Sequence, residues 1–217
     1  MRKTAMIIAI ALSLAACKDK PAESAIASDT SEPETSPVEE VTVQPAAPEA
    51  APAFNKEFDL HGVHFVVQAT NNGSMNTLTI TPSGLAEVND VITREIDGTV
   101  TNAEVADINA DMSPEVYVWV NSAGSGSYAT PIGYSANNKK SLSEIYFPPI
   151  SDDAVNSKGY MGHDEFAVVE GIVAQRFPIY NEGDANAQPS GKTRQLQYKL
   201  AQGEAGWVMK LDKALEY

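Results

Sequence analysis

The sequence is short of the residues that carry most catalytic and metal chemistry: its 217 residues include one cysteine and three histidines. A single cysteine, Cys17, leaves no internal disulfide to form. No HExxH, no cysteine pair and no GxSxG occurs, so the chain is read as a non-enzyme without a cofactor. His61 and His64 fall in one expected strand and point to opposite faces. His163 has Asp164 and Glu165 beside it as pairing partners. Long helical periodicity and internal repeats are also missing. Positive charge is scarce, with 15 Lys and Arg against 29 Asp and Glu and a net charge of −14. That balance argues against nucleic acid or an anionic lipid surface as partner, and it is compatible with a cationic one.

What the N-terminus does contain is an address. Arg2 and Lys3 precede an apolar run from Ala5 to Leu14, which is well short of the ~20 residues of a membrane-spanning helix. A basic start, a short apolar run and small residues before a cysteine form the layout of a secretory signal peptide, residues 1–16. Leu14-Ala15-Ala16-Cys17 resembles a bacterial lipobox, which predicts lipidation at Cys17. Several acyl chains anchor firmly, since each buried methylene contributes ~0.8 kcal/mol. The residue after the cysteine is Lys18 rather than Asp, which by the enteric sorting rule directs the protein to the outer membrane, facing the periplasm.

Residues 17–53 form the expected tether. From Lys18 to Ala53 the chain holds six of its thirteen prolines and no aromatic residue. Such a composition cannot bury enough apolar surface to offset the entropy of ordering a backbone, so a disordered linker is predicted. Residues 54–217 are then one domain of comfortable size.

Within that domain the periodicity is that of strands. FVVQA, TLTI, EVYVWV, EIYF, FAVVEGIVAQRF, QLQYKL and WVMKL are short, β-branched or aromatic, and bounded by Gly, Pro, Asn or Asp. Glu170-Gly171 is placed to turn one strand back on the next, and Asp97-Gly98 is the strongest short turn signal. The expected fold is all-β, an antiparallel β-sandwich or a flattened barrel.

Two stretches carry candidate chemistry. In VADINADMSPEVYV, Asp107, Asn109 and Asp111 alternate and Glu115 follows four residues on. Converging oxygens suit a hard cation such as a structural calcium. Against that, Met112 stands where an EF-hand loop needs glycine. The competing reading is an Asx-turn whose side chains cap their own backbone before the next strand. The second stretch is NSAGSGSYATPIGY, residues 121–134. A phosphate loop would need a helix after its glycines, and TPIGY leads into another strand. What remains is a narrow hairpin finger with Ser125, Gly126, Ser127 and Tyr128 at its tip, suited to another protein's cleft.

The blocks SAGSGSY, YSANNKKSLSEIYFPP, KGYMGHDEFAVVEG and RQLQYKLAQGEAGWVMKL, between about Ile92 and Tyr217, resemble the PliI family, periplasmic and lipoprotein inhibitors of I-type (invertebrate-type) lysozyme. The resemblance implies a mainly β domain whose Ser-Gly-x-Tyr loop enters the lysozyme cleft, here Ser125-Gly126-Ser127-Tyr128. Lys139 and Lys140, about a dozen residues on, are expected near the same edge, facing the enzyme's catalytic acids. The alternative is an envelope lipoprotein adaptor, not an inhibitor, with a calcium-stabilised acidic loop.

Overall fold

The computed structural model describes residues 53–217. The signal peptide, Cys17 and nearly all of the tether lie outside the described residues. Twelve strands and one short 3-10 turn, Ile150–Asp152, make up the described fold. It is all-β, as expected, and organised as two sheets.

The smaller sheet is a four-stranded antiparallel meander in the order β1-β2-β3-β4. Its strands are β1 (Phe54–Leu60), β2 (Val63–Ala69), β3 (Met75–Ser83) and β4 (Ile92–Asp97). Strand β2 shows the period-2 rule: Val63, Phe65, Val67 and Ala69 are buried, and the residues between them are only partly so. His61 is not in this strand. It occupies a left-handed turn with Gly62 between β1 and β2 (φ 52° and 83°), so the expected pair of strand histidines reduces to His64.

The larger sheet has eight strands in the order β5-β6-β7-β8-β12-β11-β10-β9. The first four are β5 (Thr99–Ala106), β6 (Glu115–Asn121), β7 (Ala129–Asn137) and β8 (Ser141–Tyr146). The other four are β9 (Glu165–Val169), β10 (Ile172–Pro178), β11 (Thr193–Gln202) and β12 (Trp207–Glu216). All neighbours are antiparallel except β8 and β12, a parallel seam with only two matched pairs, Trp207 with Ile145 and Val208 with Tyr146.

The outer strands β5 and β9 curl toward each other into a nearly closed, barrel-like form. Side chains rather than a backbone ladder clasp them. The Glu104 carboxylate on β5 accepts from the Val168 amide on β9 at 3.1 Å and from the Trp119 indole N–H at 2.6 Å. Trp119 also stacks on Phe166 of β9, with centroids 5.5 Å apart.

Strand β6 explains why two cores exist. Val116, Val118 and Val120 face the small sheet, where they pack with Phe65, Leu78 and Ile80. The alternate residues Tyr117 and Trp119 face the barrel interior with Val173, Phe177, Leu196 and Met209. EVYVWV is thus buried on both sides, which accounts for its unbroken apolar run.

One turn signal misleads. Glu170-Gly171 does close the β9–β10 hairpin, with both residues left-handed (φ 46° and 80°). Asp97-Gly98, however, does not pair its flanking strands. It carries the chain from β4 in one sheet to β5 in the other. Glycine is required there because a Cβ at residue 98 would lie 2.2 Å from the Asn121 carbonyl oxygen.

Candidate functional site

The connection from β6 to β7 is residues 122–128, and the two strands are paired up to Asn121 with Ala129. The hairpin is internally tied. Ser122 N–H donates to the Tyr128 carbonyl at 3.0 Å, Tyr128 N–H to the Ser122 hydroxyl at 3.0 Å, and Ser127 N–H to the Gly124 carbonyl at 2.9 Å. The two tip hydroxyls differ. Ser125 is exposed, whereas the half-buried Ser127 accepts from the Asn121 amide at 3.2 Å. Gly126 is enclosed because the Tyr128 ring lies over it, and a Cβ there would come within 2.4 Å of that ring.

The loop is not a free finger. Three contacts from distant parts of the chain hold it. The Asn186 amide donates to the Ser125 carbonyl at 2.8 Å, and the His163 backbone N–H donates to the Gly126 carbonyl at 2.7 Å. Immediately after the loop, the Ala129 N–H donates to the Asp164 carboxylate at 2.9 Å. Tyr128 is 46 % exposed, so it is neither core nor a free tip. Its buried edge meets Tyr160 at 5.6 Å, and Tyr160 meets Phe177 at 4.8 Å.

Asp164 is the hub of this support and is almost wholly buried. Besides Ala129 it accepts from the Tyr160 hydroxyl at 3.0 Å and from the Gln175 amide at 2.8 Å, and Gln175 in turn accepts from the Tyr198 hydroxyl. Burial pushes the Tyr160 phenol above its ordinary pKa, and the neighbouring Asp164 charge adds to the rise, so this hydroxyl stays a donor. Sequence reading missed Asp164, treating it only as a partner for His163. The His163 ring instead lies near Tyr180. A partly open cavity of about 310 Å³ is lined by Ala129, Tyr160, Phe147, Pro149, Phe166 and Met209.

Lys139 and Lys140 do not join the loop. They sit in the β7–β8 turn, separated from it by all nine residues of β7, or about 30 Å of strand. Lys139 donates to the His61 carbonyl at 2.9 Å, and Lys140 pairs with Glu87 at 2.9 Å. A strand reverses nothing until its end, and a spacing of a dozen residues in a hairpin leads away from the tip.

The acidic stretch forms the opposite end of β6. Asp107, Asp111 and Glu115 each place a carboxylate oxygen within 4.8 Å of the others. That spacing suits oxygen ligands of one cation. Asn109 turns its amide to Asp111 at 2.9 Å. The same oxygens also cap the local backbone, Asp107 accepting from the amides of Asp111 and Met112 and Asp111 from that of Ser113. Glu115 is fully buried, accepting from Ile108 N–H and the Ser135 hydroxyl. Burial, with Asp111 and Asp107 nearby, pushes its pKa up to about 7.

No curated protein and no solved structure matches the chain. The family comparison does: residues 84–157, roughly a third of the chain, match the model of the PliI family, described as periplasmic lysozyme inhibitor of I-type lysozyme. The matched segment runs from before β4 to beyond β8 and contains both turns that flank β6, the acidic one and the Ser-Gly-Ser-Tyr loop, so across this segment the chain is similar to the periplasmic inhibitors of I-type lysozyme.

Proposed function

We propose that the protein is a periplasmic inhibitor of I-type lysozyme that inserts Ser125–Tyr128 into the enzyme's cleft. The observation that carries the reading is the state of that loop: it lies inside the family-matched segment, projects two exposed groups, and is clamped from three sides. Lysozymes cleave glycosidic bonds with a pair of carboxyl groups in a groove. The exposed Ser125 hydroxyl is a donor of the kind an ionised carboxylate accepts. The half-exposed Tyr128 ring adds stiff contact area. A loop already held in one shape loses little conformational freedom on binding. The net charge of −14 favours encounter with a cationic enzyme.

Inhibition of lysis by the purified protein, run in parallel against I-type, chicken-type and goose-type lysozymes, tests this. Selective loss of the I-type activity is expected, and no inhibition of any of the three removes the reading. Tyr128→Ala is expected to weaken inhibition about thirtyfold, near 2 kcal/mol, with a small change in melting temperature from the lost contact with Tyr160. The location follows the same reading, with the protein tethered through a lipidated Cys17 at the outer membrane. Cys17→Ser should leave the protein without acyl chains by mass spectrometry, and acylated mutant protein would refute the tether. The acidic turn favours a second reading, a calcium-steadied envelope adaptor. A melting temperature that rises with calcium, in a protein without effect on lysozyme, would select it.

A further inference from the structure

We propose that Asp164 is the positioning residue of the lysozyme-binding loop, an inference that rests on the inhibitor reading above. Asp164 lies outside the family-matched segment and 36 residues after Tyr128, yet it fixes both things on which that tyrosine depends. One carboxylate oxygen takes the Ala129 N–H, the first amide after the loop, at 2.9 Å. The other takes the hydroxyl of Tyr160, the ring against which Tyr128 rests, at 3.0 Å, and the Gln175 amide at 2.8 Å. The carboxylate is 1 % exposed and is met by three donors. A buried anion held only by hydrogen bonds is costly to misplace, because every donor that leaves it uncovers charge.

The neighbouring residues reinforce the same grip. His163, next in the chain, gives its backbone N–H to the Gly126 carbonyl. At Gly162 a Cβ would lie 2.1 Å from that carbonyl oxygen, so the backbone of residues 162–164 is pressed directly against the loop. Asp164 therefore touches no enzyme in this scheme. It acts through Ala129 and Tyr160 on the placement of Tyr128.

The test combines Asp164→Asn with Tyr128→Ala in a double-mutant cycle, read by inhibition of I-type lysozyme and by amide hydrogen exchange. Asparagine keeps the shape but sets an N–H2 group among donors. Asp164→Asn alone is expected to weaken inhibition at least about tenfold and to speed exchange at Ala129 and His163, leaving Val118 in the core protected. In the Tyr128→Ala background its effect should shrink to less than about twofold, because the ring it positions is gone. Equal loss in both backgrounds, or native inhibition with native exchange, overturns the proposal.

Should Asp164→Asn fail to fold, Tyr160→Phe decides. It removes one donor to Asp164 and keeps the ring, so about threefold weaker inhibition that vanishes without Tyr128 is expected, and native behaviour overturns the assignment. Failure of the inhibitor reading itself is seen separately: native protein that does not inhibit, or Tyr128→Ala that inhibits fully, removes both.

Discussion

The two turns that flank β6 are held in opposite ways. At its start, Asp107 and Asp111 cap amides two to five residues away, so the acidic turn carries its own support. At its end, the Ser122–Tyr128 loop has some internal ties, but its orientation depends on His163, Asp164 and Asn186, 35 to 61 residues distant. A self-capped turn is steady, with most of its side-chain oxygens turned to its own backbone. A loop clamped from behind leaves its front, Ser125 and part of Tyr128, exposed. Rigidity at the two ends of the same strand thus has different sources.

Neutralising the buried carboxylate of the self-supported turn should give the largest stability effect. Glu115 has a folded-state pKa of about 7 against an ordinary 4.5. A raised pKa means that its protonated form favours the fold, an advantage fully present below pH 4.5 and lost as pH rises through 7. Asp107 and Asp111 lie beside Glu115, and His61 faces Asp107 at 3.3 Å. Glu115→Gln is expected to stabilise the protein at pH 8 by about 3 kcal/mol and to flatten the dependence between pH 4.5 and 7, as measured by denaturant unfolding across that range. A steeper dependence in the variant would contradict the burial argument.

Gly162→Ala attacks the clamp rather than the turn. Its left-handed φ of 83° and the approach to Gly126 predict a loss of about 2 kcal/mol in stability. Inhibition should fall further than the unfolded fraction explains, which titration of the folded protein against lysozyme would show. Asn186→Ala removes one tie to the Ser125 carbonyl. A cost of about 1 kcal/mol in binding is expected, with an unchanged melting curve. The smallest effect belongs to Lys139→Ala with Lys140→Ala: both lie at the far end of β7, and the exposed Lys140–Glu87 pair contributes at most ~1 kcal/mol to stability. Lysozyme inhibition should be the same as in the unaltered protein, and a clear loss would restore these lysines to the interface.

How much the sequence discloses follows the same division between local and distant support. Alternation in QLQYKL and the doubly buried run EVYVWV announce β11 and β6 directly. The Asx capping at residues 107–113 is legible because donor and acceptor are neighbours in the chain. Strands β1 and β4 are quieter, since they carry polar residues on faces that are mostly exposed. Asp97-Gly98 declares a backbone that needs glycine, but not which strands it separates. The Ser-Gly-Ser-Tyr loop is visible as composition and through the family resemblance. Its anchor is not, because nothing in KGYMGHDEF states that Asp164 will meet Ala129 rather than its neighbour His163. Lys139 and Lys140 fail for the converse reason: closeness along a hairpin strand is distance in space.

The parallel seam between β8 and β12 also divides the chain. Strands β1 to β8 end at Tyr146, so the small sheet, β6 with its two faces, and the loop itself are all made before any of the loop's distant supports. His163, Asp164 and Asn186 follow, and the seam at Trp207 and Val208 joins residues about sixty apart, a slow, non-local closure. Pulse-labelled exchange during refolding should therefore protect Val116 and Val118 before Ala129, and simultaneous protection would argue for a single concerted step. The Ser122–Tyr128 loop is thus written before the seam, and its supports His163, Asp164 and Asn186 lie between the seam's two strands, so the loop's clamp is completed by chain that follows it.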